Sequence, residues 1–160
     1  MTAVAERLAF QRLDRPEDVE ATWRAFGQAI GIDALRRAYG PAWPRAVAPG
    51  EAVWRVLDGW ETAAWLSIRV DPVEPWAWYA AGVWPAWQRR GIVHELRAWS
   101  LTWLRAWPDL RGLLIEVLDT NAGYQQALRR EVDRGGSLRL AGRIEVPGSE
   151  AQLFWLEARG

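Results

Sequence analysis

The chain has 160 residues, 50% of them apolar and 25% charged, which is typical of one compact domain and predicts a single domain over residues 1–160. It holds no Cys, no Lys and one His, which excludes disulfides, thiolate nucleophiles and Schiff-base lysines and leaves few ligands for a zinc site. Twenty acidic residues balance twenty Arg, and no leader-like or membrane-spanning apolar run occurs, so we expect a cytoplasmic protein without a nucleic-acid or membrane partner.

The first third of the chain predicts one strand, two helices and a loop. Loose alternation of apolar residues in 6–13 indicates a strand. Pro16, an acidic first turn and apolar residues at helical spacing predict a helix that ends at Gly31. A shorter helix is expected over residues 33–39, and the prolines of 40–51 predict a loop.

Three strands are predicted next. An Asp-Gly pair separates the strand-like runs 51–57 and 60–70, and such a pair is the strongest short-range signal for a β-hairpin. The period of two places alternate residues of the second arm on one face, namely Trp60, Thr62, Ala64, Leu66, Ile68 and Val70. Residues 75–85 almost lack polar side chains, so we expect a strand covered on both faces.

The second half continues with a βαβ pattern. A long helix is predicted over 91–107, with one apolar stripe that consists of Ile92, Leu96, Trp99, Trp103 and Trp107. A buried parallel strand is expected at 110–119 and a helix at 121–132. Two closing strands, 137–146 and 151–159, complete the order β, α, α, β, β, β, α, β, α, β, β.

The segment 83–93 has the features of an anion site. It lies between a strand and a long helix, whose first N–H groups are unpaired and carry a partial positive charge. Gly91 lets the backbone approach an anion, and Arg89 and Arg90 add full charges. The same residues also fit an ordinary helix entry with two solvated arginines, and the segment alone leaves both interpretations open.

This segment resembles motif A of the GNAT superfamily of acyl-CoA-dependent N-acyltransferases. In that motif a strand ending V-x-P-x-x leads into [Q/R]-x-x-G-x-[G/A]. The matching residues are Val83, Pro85, Gln88 and Gly91. Val93 stands where the family prefers Gly or Ala.

A second block resembles the family's later strand-to-helix junction, E-V-x-x-x-N, at Glu116, Val117 and Asn121. The predicted order of elements is also that of the GNAT fold across nearly the whole chain. The resemblance implies an α/β (α+β) fold, with a mixed, centrally splayed β-sheet of about seven strands flanked by about four helices.

The resemblance implies acetyl-CoA as cosubstrate and no metal. Its pantetheine would pair with strand backbone and its pyrophosphate would rest on loop amides, with Asn121 as a further contact. The implied binding residues are Ala81, Gly82, Val83, Gln88, Arg89, Arg90, Gly91, Ile92, Val93 and Asn121. The implied reaction is direct attack of a primary amine, of a small molecule or a peptide N-terminus, on the thioester.

Such a reaction requires a base, an oxyanion donor and an acid. Glu116 is the first candidate for the base, because a carboxyl in an apolar strand is expected to have a raised pKa, and its position resembles the catalytic Glu of GNAT enzymes that acetylate ribosomal-protein N-termini. The alternative is a strand-end Glu paired with an Arg, and Glu74 is the second candidate for the base. The backbone N–H of Val83 is the candidate oxyanion donor.

At the position of the acid, the group that would protonate the departing thiolate, the sequence departs from the family pattern. Leu128 stands where the family has a Tyr, and Val132 and Asp133 replace its Gly-Phe. Tyr124 and Tyr79 are possible substitutes, although either also fits a packed aromatic, and water is a further proton source. His94, the only His, receives no role.

The chain holds 13 Trp, and four of them cluster around the predicted active strand: Trp76, Trp78, Trp84 and Trp87. Core packing accounts for most of these side chains. Together with Trp43 and Trp54 they also fit an acceptor pocket or a homodimer face. Two other functions therefore remain open: a degenerate GNAT domain that binds CoA or a protein partner without turnover, and a structural module that dimerises.

Overall fold

The computed structural model describes residues 8–158, and their elements follow the predicted order. They are β1 Leu8–Arg12, α1 Pro16–Ile30, α2 Ile32–Tyr39, β2 Glu51–Asp58, β3 Glu61–Val70, β4 Trp76–Val83, α3 Ile92–Leu104, β5 Gly112–Leu118, α4 Ala122–Asp133, β6 Leu138–Val146 and β7 Ser149–Glu157. A short 3₁₀ turn, Pro85–Trp87, precedes α3.

The strands form one mixed sheet of seven strands in the order β1-β2-β3-β4-β5-β7-β6. β4 and β5 run parallel, and the other neighbouring pairs are antiparallel. The parallel pair is joined by α3, as a βαβ crossover requires. The predicted mixed α/β fold is therefore confirmed.

The two central strands separate before they end. β4 and β5 are in register only as far as Tyr79 and Ile115. β4 then continues beside β3 to Val83, and β5 continues beside β7 to Leu118. Residues 80–83 therefore have no partner on β5, and a gap opens between the strands, which confirms the splayed centre of the sheet.

Helices cover both faces of the sheet. On one face, α1, α2 and the following loop pack on β2 and β3 through Val19, Trp23, Phe26, Leu35, Trp43, Val53 and Trp65. On the other face, α3 and α4 join a larger core with the central strands that includes Leu66, Ile68, Leu113, Ile115, Ile92, Leu96, Leu104 and Leu128. The central strands are consequently buried on both sides, as the apolar run of β4 predicts.

Aromatic rings fill the space under α1. The rings of Trp23 and Trp43 lie 4.5 Å apart, and those of Trp43 and Trp65 stack at 5.3 Å. This cluster sits directly over Gly82 of β4. A Cβ at Gly82 would overlap the indole nitrogen of Trp65 and lie 2.6 Å from Cζ of Phe26. The close approach of the rings to β4 thus requires glycine at this position.

The predicted loop between α2 and β2 is fixed by one ion pair. Arg45 Nη1 lies 2.7 Å from Glu51 Oε1, and this carboxylate also accepts bonds from the Ala48 N–H and the Ser67 hydroxyl. The Arg45 guanidinium covers the Trp23 ring at 5.4 Å. The loop therefore closes the aromatic cluster on its outer side.

Some predicted boundaries were wrong. Trp60 lies in the hairpin turn and is fully exposed, while β3 itself is buried on both faces because helices cover both sides of the sheet. The long helix ends at Leu104, and Trp107 lies beyond it, directly before Pro108, because the residue that precedes a proline disfavours helical geometry. The turn between β6 and β7 is shorter than predicted, because β6 ends at Val146 and β7 already begins at Ser149.

The first predicted strand begins at Leu8, and residues 6 and 7 lie outside the described residues, as does residue 159 of the last predicted strand. Among residues 8–158, no helix combines the length and the apolar character needed to cross a membrane.

We predict that Gly82→Ala lowers the free energy of unfolding by about 1–3 kcal/mol, because the added methyl group overfills a packed aromatic cluster. Gly123→Ala is the matched control. A Cβ at this exposed helical position meets nothing within 4 Å, so this change is expected to raise stability by about 0.5–1 kcal/mol. Urea unfolding followed by tryptophan fluorescence measures both, and equal stability of the two variants would contradict the packing argument.

Candidate active site

A cavity of about 810 Å³ opens where β4 and β5 separate, within the size range of small-molecule sites. Its walls come from β4, β5, the starts of α3 and α4, and the inner side of α1 and α2. Most of the residues selected from the sequence line it: Ala81, Gly82, Val83, Gln88, Arg89, Gly91, Ile92, Val93, Glu116, Asn121 and Tyr124. Residues that are distant in sequence therefore meet in one site.

Arg90 is an exception, because it is exposed and does not line the cavity. Its two neighbours, Arg89 and Gly91, have positive φ angles of 64° and 78°. These left-handed conformations change the direction of the chain at each step, so that Arg89 reaches the cavity and Arg90 does not. Arg90 thus lies outside the cavity lining, and its contact with an anion stays a prediction.

The start of α3 forms one end of the site. Gly91 is the N-cap of this helix, and no side chain caps its first turn. The space beside Gly91 is open, since a Cβ there would meet nothing within 4 Å. Uncapped N–H groups and the positive end of the helix dipole together favour an anion at this position.

The edge of β4 forms the middle of the site. The N–H of Trp84 bonds to the carbonyl of Ala63 on β3, so the alternation of a strand directs the backbone groups of Ala81 and Val83 towards the gap. The carbonyl of Ala81 accepts a bond of 2.6 Å from the Tyr39 hydroxyl. Val83 and Ala81 thus present a backbone edge that β5 does not pair.

Two side chains already bond to this edge. Tyr39 ties α2 to Ala81, and burial raises the pKa of Tyr39, so its hydroxyl keeps the proton that it donates. Gln88 donates its side-chain amide to the Val83 carbonyl at 3.2 Å. Gln88 therefore holds the loop against the strand, which is a positioning contact that the motif alone does not reveal.

Glu116 lies on β5 and is exposed to the cavity. Partial burial of its carboxyl raises the pKa of Glu116, and the positive charge of Arg69 opposes this shift. Within residues 8–158 the Glu116 carboxylate makes no salt bridge or hydrogen bond, so it is not the paired strand-end Glu of the alternative interpretation. Its geometry suits a group that exchanges a proton with a ligand.

The structure does not bring Glu74, the second candidate base, to the cavity. Glu74 is exposed in the turn before β4, at the opposite end of this strand from the gap. Its backbone N–H bonds to the carboxylate of Asp71 at 2.8 Å. The candidacy of Glu74 was wrong because the cavity lies at the C-terminal end of the strand.

Two tyrosines line the cavity from the side of α3 and α4. Burial raises the pKa of Tyr79 well above its usual value, and it also raises the pKa of Tyr124, where the charge of Arg97 opposes it. The Tyr79 hydroxyl and Arg97 Nη1 are both buried without a hydrogen-bond partner in the described part of the chain. The other Arg97 nitrogen, Nη2, bonds to Glu131 and to His94 Nδ1.

Leu128, at the position of the family Tyr, is 1% exposed and belongs to the core under α4. A side chain at this position therefore packs against the sheet and does not line the cavity. Tyr124, one turn earlier on the same helix, does line it. The chain consequently offers a phenol in the cavity from another position of α4.

The Trp residues separate into different roles. Trp87 lines the cavity, and its indole N–H donates to Asp58 at 3.2 Å. Trp43 and Trp54 are buried and do not line the cavity, which agrees with core packing and not with the alternative of an acceptor pocket or a dimer face. Trp43 is buried in the cluster under α1, and Trp54 packs on the opposite face of the sheet against α3.

Sequence reasoning missed the wall formed by α1 and α2. Its cavity-lining residues are Phe26, Ile30, Ala34, Arg37, Ala38 and Tyr39. Their helical spacing is visible in the sequence, but nothing local distinguishes a face that lines a cavity from one that packs in the core. In the described range 8–158, no three acidic or His side chains form a group that could hold a metal ion.

No known protein-family model matches this chain, and no curated protein sequence matches it. Solved structures do match. The ribosomal L7/L12 alpha-N-protein acetyltransferase RimL is 15% identical with a TM-score of 0.73, and the match covers 96% of this chain and 92% of RimL. A second RimL structure, in complex with coenzyme A, is 16% identical with a TM-score of 0.68 and 96% coverage of both chains.

Two further solved structures are similar to this chain over nearly its whole length. The spermidine/spermine N-acetyltransferase SpeG from Vibrio cholerae is 13% identical with a TM-score of 0.65, covering 98% of this chain and 95% of SpeG. A putative acetyltransferase of the GNAT family from Desulfovibrio desulfuricans is 18% identical with a TM-score of 0.67, covering 95% and 99%. Together with the splayed sheet and the order of elements, these matches show that the chain has the fold of the GNAT acetyltransferases.

Proposed function

We propose that this protein is an acyl-CoA-dependent N-acetyltransferase that transfers an acetyl group from acetyl-CoA to a primary amine of a small molecule or a peptide N-terminus. One observation carries the proposal. A single cavity combines an uncapped helix N-terminus, an unpaired strand edge and a carboxylate without a protein partner. The coenzyme A bound to the similarly folded RimL supports the choice of cosubstrate.

The residues present fit acetyl-CoA. The amides of residues 89–93 at the start of α3 would hold its pyrophosphate, because they supply N–H groups and open space at Gly91, whereas the Gln88 N–H already donates to the Pro85 carbonyl. The gap-facing N–H of Ala81 and the remaining lone pairs of the Ala81 and Val83 carbonyls would pair with the amides of its pantetheine arm, which leaves the Val83 N–H for the reacting carbonyl. Asn121 at the start of α4 would contact that arm. Arg89 would add a full positive charge near the phosphates.

The proposed reaction forms a C–N bond to the acetyl carbon and breaks its C–S bond. Glu116 accepts the proton that the amine loses, for which its raised pKa is suitable. The Val83 N–H, which points into the gap, donates to the oxyanion that develops on the acetyl oxygen. Tyr124, Tyr79 or water supplies a proton to the departing thiolate.

A second candidate function is a GNAT-fold protein that binds CoA, or a protein partner, without turnover. The buried Leu128 favours it, since no Tyr occupies the family position and the Gly-Phe sequence that follows is replaced by Val132 and Asp133. Release of free thiol from acetyl-CoA, measured over a broad panel of amines, separates the two functions. Thiol release with any amine supports the transferase, and its absence with all of them supports the binding protein.

Gly91→Trp is expected to weaken acetyl-CoA binding by about 100-fold or more, because the indole would fill the space that the pyrophosphate needs. Gly91→Ala is the control: it shares the left-handed backbone strain but leaves most of the space open, so we expect it to retain most of the affinity. Calorimetry measures binding, and circular dichroism checks that both variants are folded. If Gly91→Trp binds acetyl-CoA with unchanged affinity, the pyrophosphate does not bind at this loop.

Glu116→Gln is expected to lower kcat by about 100-fold or more with acetyl-CoA affinity unchanged, as loss of a general base does. In the wild type, turnover should rise with pH through the pKa of Glu116, because only the ionised carboxylate accepts a proton. Burial raises this pKa, so the rise is expected above the usual range of a Glu. Glu61→Gln, which changes an exposed Glu of β3 outside the cavity, should leave rate and pH profile unchanged. A full rate at every pH in Glu116→Gln would exclude Glu116 as the base.

Tyr124→Phe and Tyr79→Phe are each expected to lower kcat by less than about tenfold, because a thiol with a pKa of about 8.5 leaves with little assistance. Leu128→Tyr should not raise the rate, since its ring would enter the core and cost about 1–3 kcal/mol of stability. Steady-state kinetics and urea unfolding measure these effects. A loss of about 100-fold in one Tyr variant would identify an obligatory acid, and faster turnover in Leu128→Tyr would contradict the packing argument.

A further inference from the structure

The cavity continues beyond the gap towards the helices α1 and α2. On this side its wall is largely apolar and consists of Phe26, Ile30, Ala34 and Ala38. Glu116 projects from the facing strand β5. If the cosubstrate occupies the loop and the gap, this end of the cavity is where the acceptor amine meets Glu116.

Arg37 lies at the same end of the cavity. Arg37 is exposed, lines the cavity and makes no salt bridge to any acidic residue in the described range. The backbone carbonyl of Arg37 accepts a 2.8 Å bond from the Thr120 hydroxyl, which lies just after β5. This bond fixes the end of α2 beside the strand that carries Glu116, so Arg37 and Glu116 belong to one end of the site.

A second guanidinium lies on the neighbouring strands. Arg69 of β3 pairs in register with Trp78 of β4 and covers its ring at 5.7 Å, and Trp78 pairs with Leu114, two residues before Glu116 on β5. The positive charge of Arg69 lowers the pKa of Glu116 against the effect of burial. Arg69 also influences Asp71, but that carboxylate bonds to the N–H groups of Val73 and Glu74 and to the Trp78 indole rather than to Arg69. No salt bridge neutralises Arg69 within residues 8–158.

The charge balance at this end selects among amines. Glu116 is the one acidic side chain among the described residues that line the cavity, and Arg37 brings a positive charge to the same lining. Arg69 lies outside the lining and adds a second positive charge that acts on Glu116 from β3. A polyamine would bring further positive charges towards these arginines, where repulsion opposes binding. An amine that also carries a carboxylate would instead match both signs, since guanidinium groups bind carboxylates through paired hydrogen bonds.

We propose that the acceptor is a free α-amino acid with an apolar side chain, whose amine faces Glu116, whose carboxylate binds Arg37 and whose side chain contacts the apolar wall of α1 and α2. This inference rests on the proposed transferase function and narrows it to a substrate class. Arg69 supports the same charge pattern from β3. Arg37 is thus a specificity-determining residue that takes no part in proton transfer.

Ligand-observed NMR titration of the protein saturated with CoA tests the proposal without requiring turnover. The probes are leucine, phenylalanine, their carboxamides and spermidine. We expect each free acid to bind at least tenfold more tightly than its amide, and spermidine to bind more weakly than either. Arg37→Gln should weaken binding of the acids at least tenfold and that of the amides less than twofold, with the affinity for CoA unchanged.

Arg36→Gln is the matched control, because Arg36 is the exposed neighbour on α2 and does not line the cavity. It should leave all these affinities unchanged. The proposal is overturned if amides bind as tightly as acids, if no amino acid binds, if Arg37→Gln weakens CoA instead, or if Arg36→Gln acts like Arg37→Gln.

Thiol release in the same variants separates this inference from the proposed function. Turnover of amides or spermidine in preference to free acids would support the proposed transferase function and contradict the proposal that the acceptor is a free amino acid. If the acids bind more tightly than the amides but no amine is turned over, the proposal that Arg37 recognises a carboxylate is supported and the proposed transferase function is contradicted. Turnover of acids with a kcat/KM at least tenfold above that of their amides supports both.

Discussion

The separation of β4 from β5 after Tyr79 is the constraint on which the site depends. Each strand keeps its outer neighbour, so the backbone of residues 80–83 loses its partners on one side while the sheet stays intact. Buried backbone groups without partners are costly, at about 1–3 kcal/mol each. The protein satisfies the two gap-facing carbonyls of this edge with the side chains of Tyr39 and Gln88. The edge therefore stays open along the gap and accepts a ligand that carries amides, while its carbonyls hold α2 and the loop in place.

The aromatic cluster under α1 connects the core to the site. Phe26 and Tyr39 each have one side in this cluster and another in the cavity wall. Gly82 brings the rings close to β4, so the position of the wall relative to the strand edge is set by ring packing. The buried indole N–H groups of Trp23 and Trp65 have no acceptor among the described residues, which is a cost that the apolar contacts of the cluster must exceed. A change in this packing would therefore move the α1–α2 wall of the cavity more than the loop at α3.

The sequence was informative where structure follows from local signals. The Asp-Gly hairpin, the helical spacing after Pro16 and the apolar run of β5 each depend on near neighbours, and these elements were correctly predicted. The gap-lining loop was also found, because its residues are contiguous. That Arg89 lines the cavity and Arg90 does not could not be predicted, because the direction of each side chain depends on the φ angles of Arg89 and Gly91, which the sequence does not specify.

Other features depend on contacts between distant segments. Trp54 and Trp43 have similar apolar surroundings in the sequence, yet the sheet places them on opposite faces. Arg37 and Tyr39 reach the site because α2 docks against β4 and β5, through bonds to Ala81 and Thr120 that no local pattern encodes. The α1–α2 wall of the cavity was therefore missed, whereas the wall formed by the loop before α3 was predicted from the sequence.

The period of two along β5 has a mechanistic consequence. Ile115 is in register with Tyr79 and shares its face of the sheet, so the next residue, Glu116, lies on the opposite face, where α1 and α2 pack. The candidate base and the candidate acids are consequently separated by the sheet, and the gap is the one place in the cavity where a thioester would contact both. Under the proposed mechanism the amine enters and loses its proton on the α1–α2 face, and the thiolate is protonated on the face of α3 and α4. Arg97, paired with Glu131 on that second face, lowers the pKa values of Tyr79 and Tyr124 against the effect of burial, so its charge acts on the candidate acids. In the proposed mechanism the group that takes up a proton and the groups that supply one are thus residues that the sheet keeps apart.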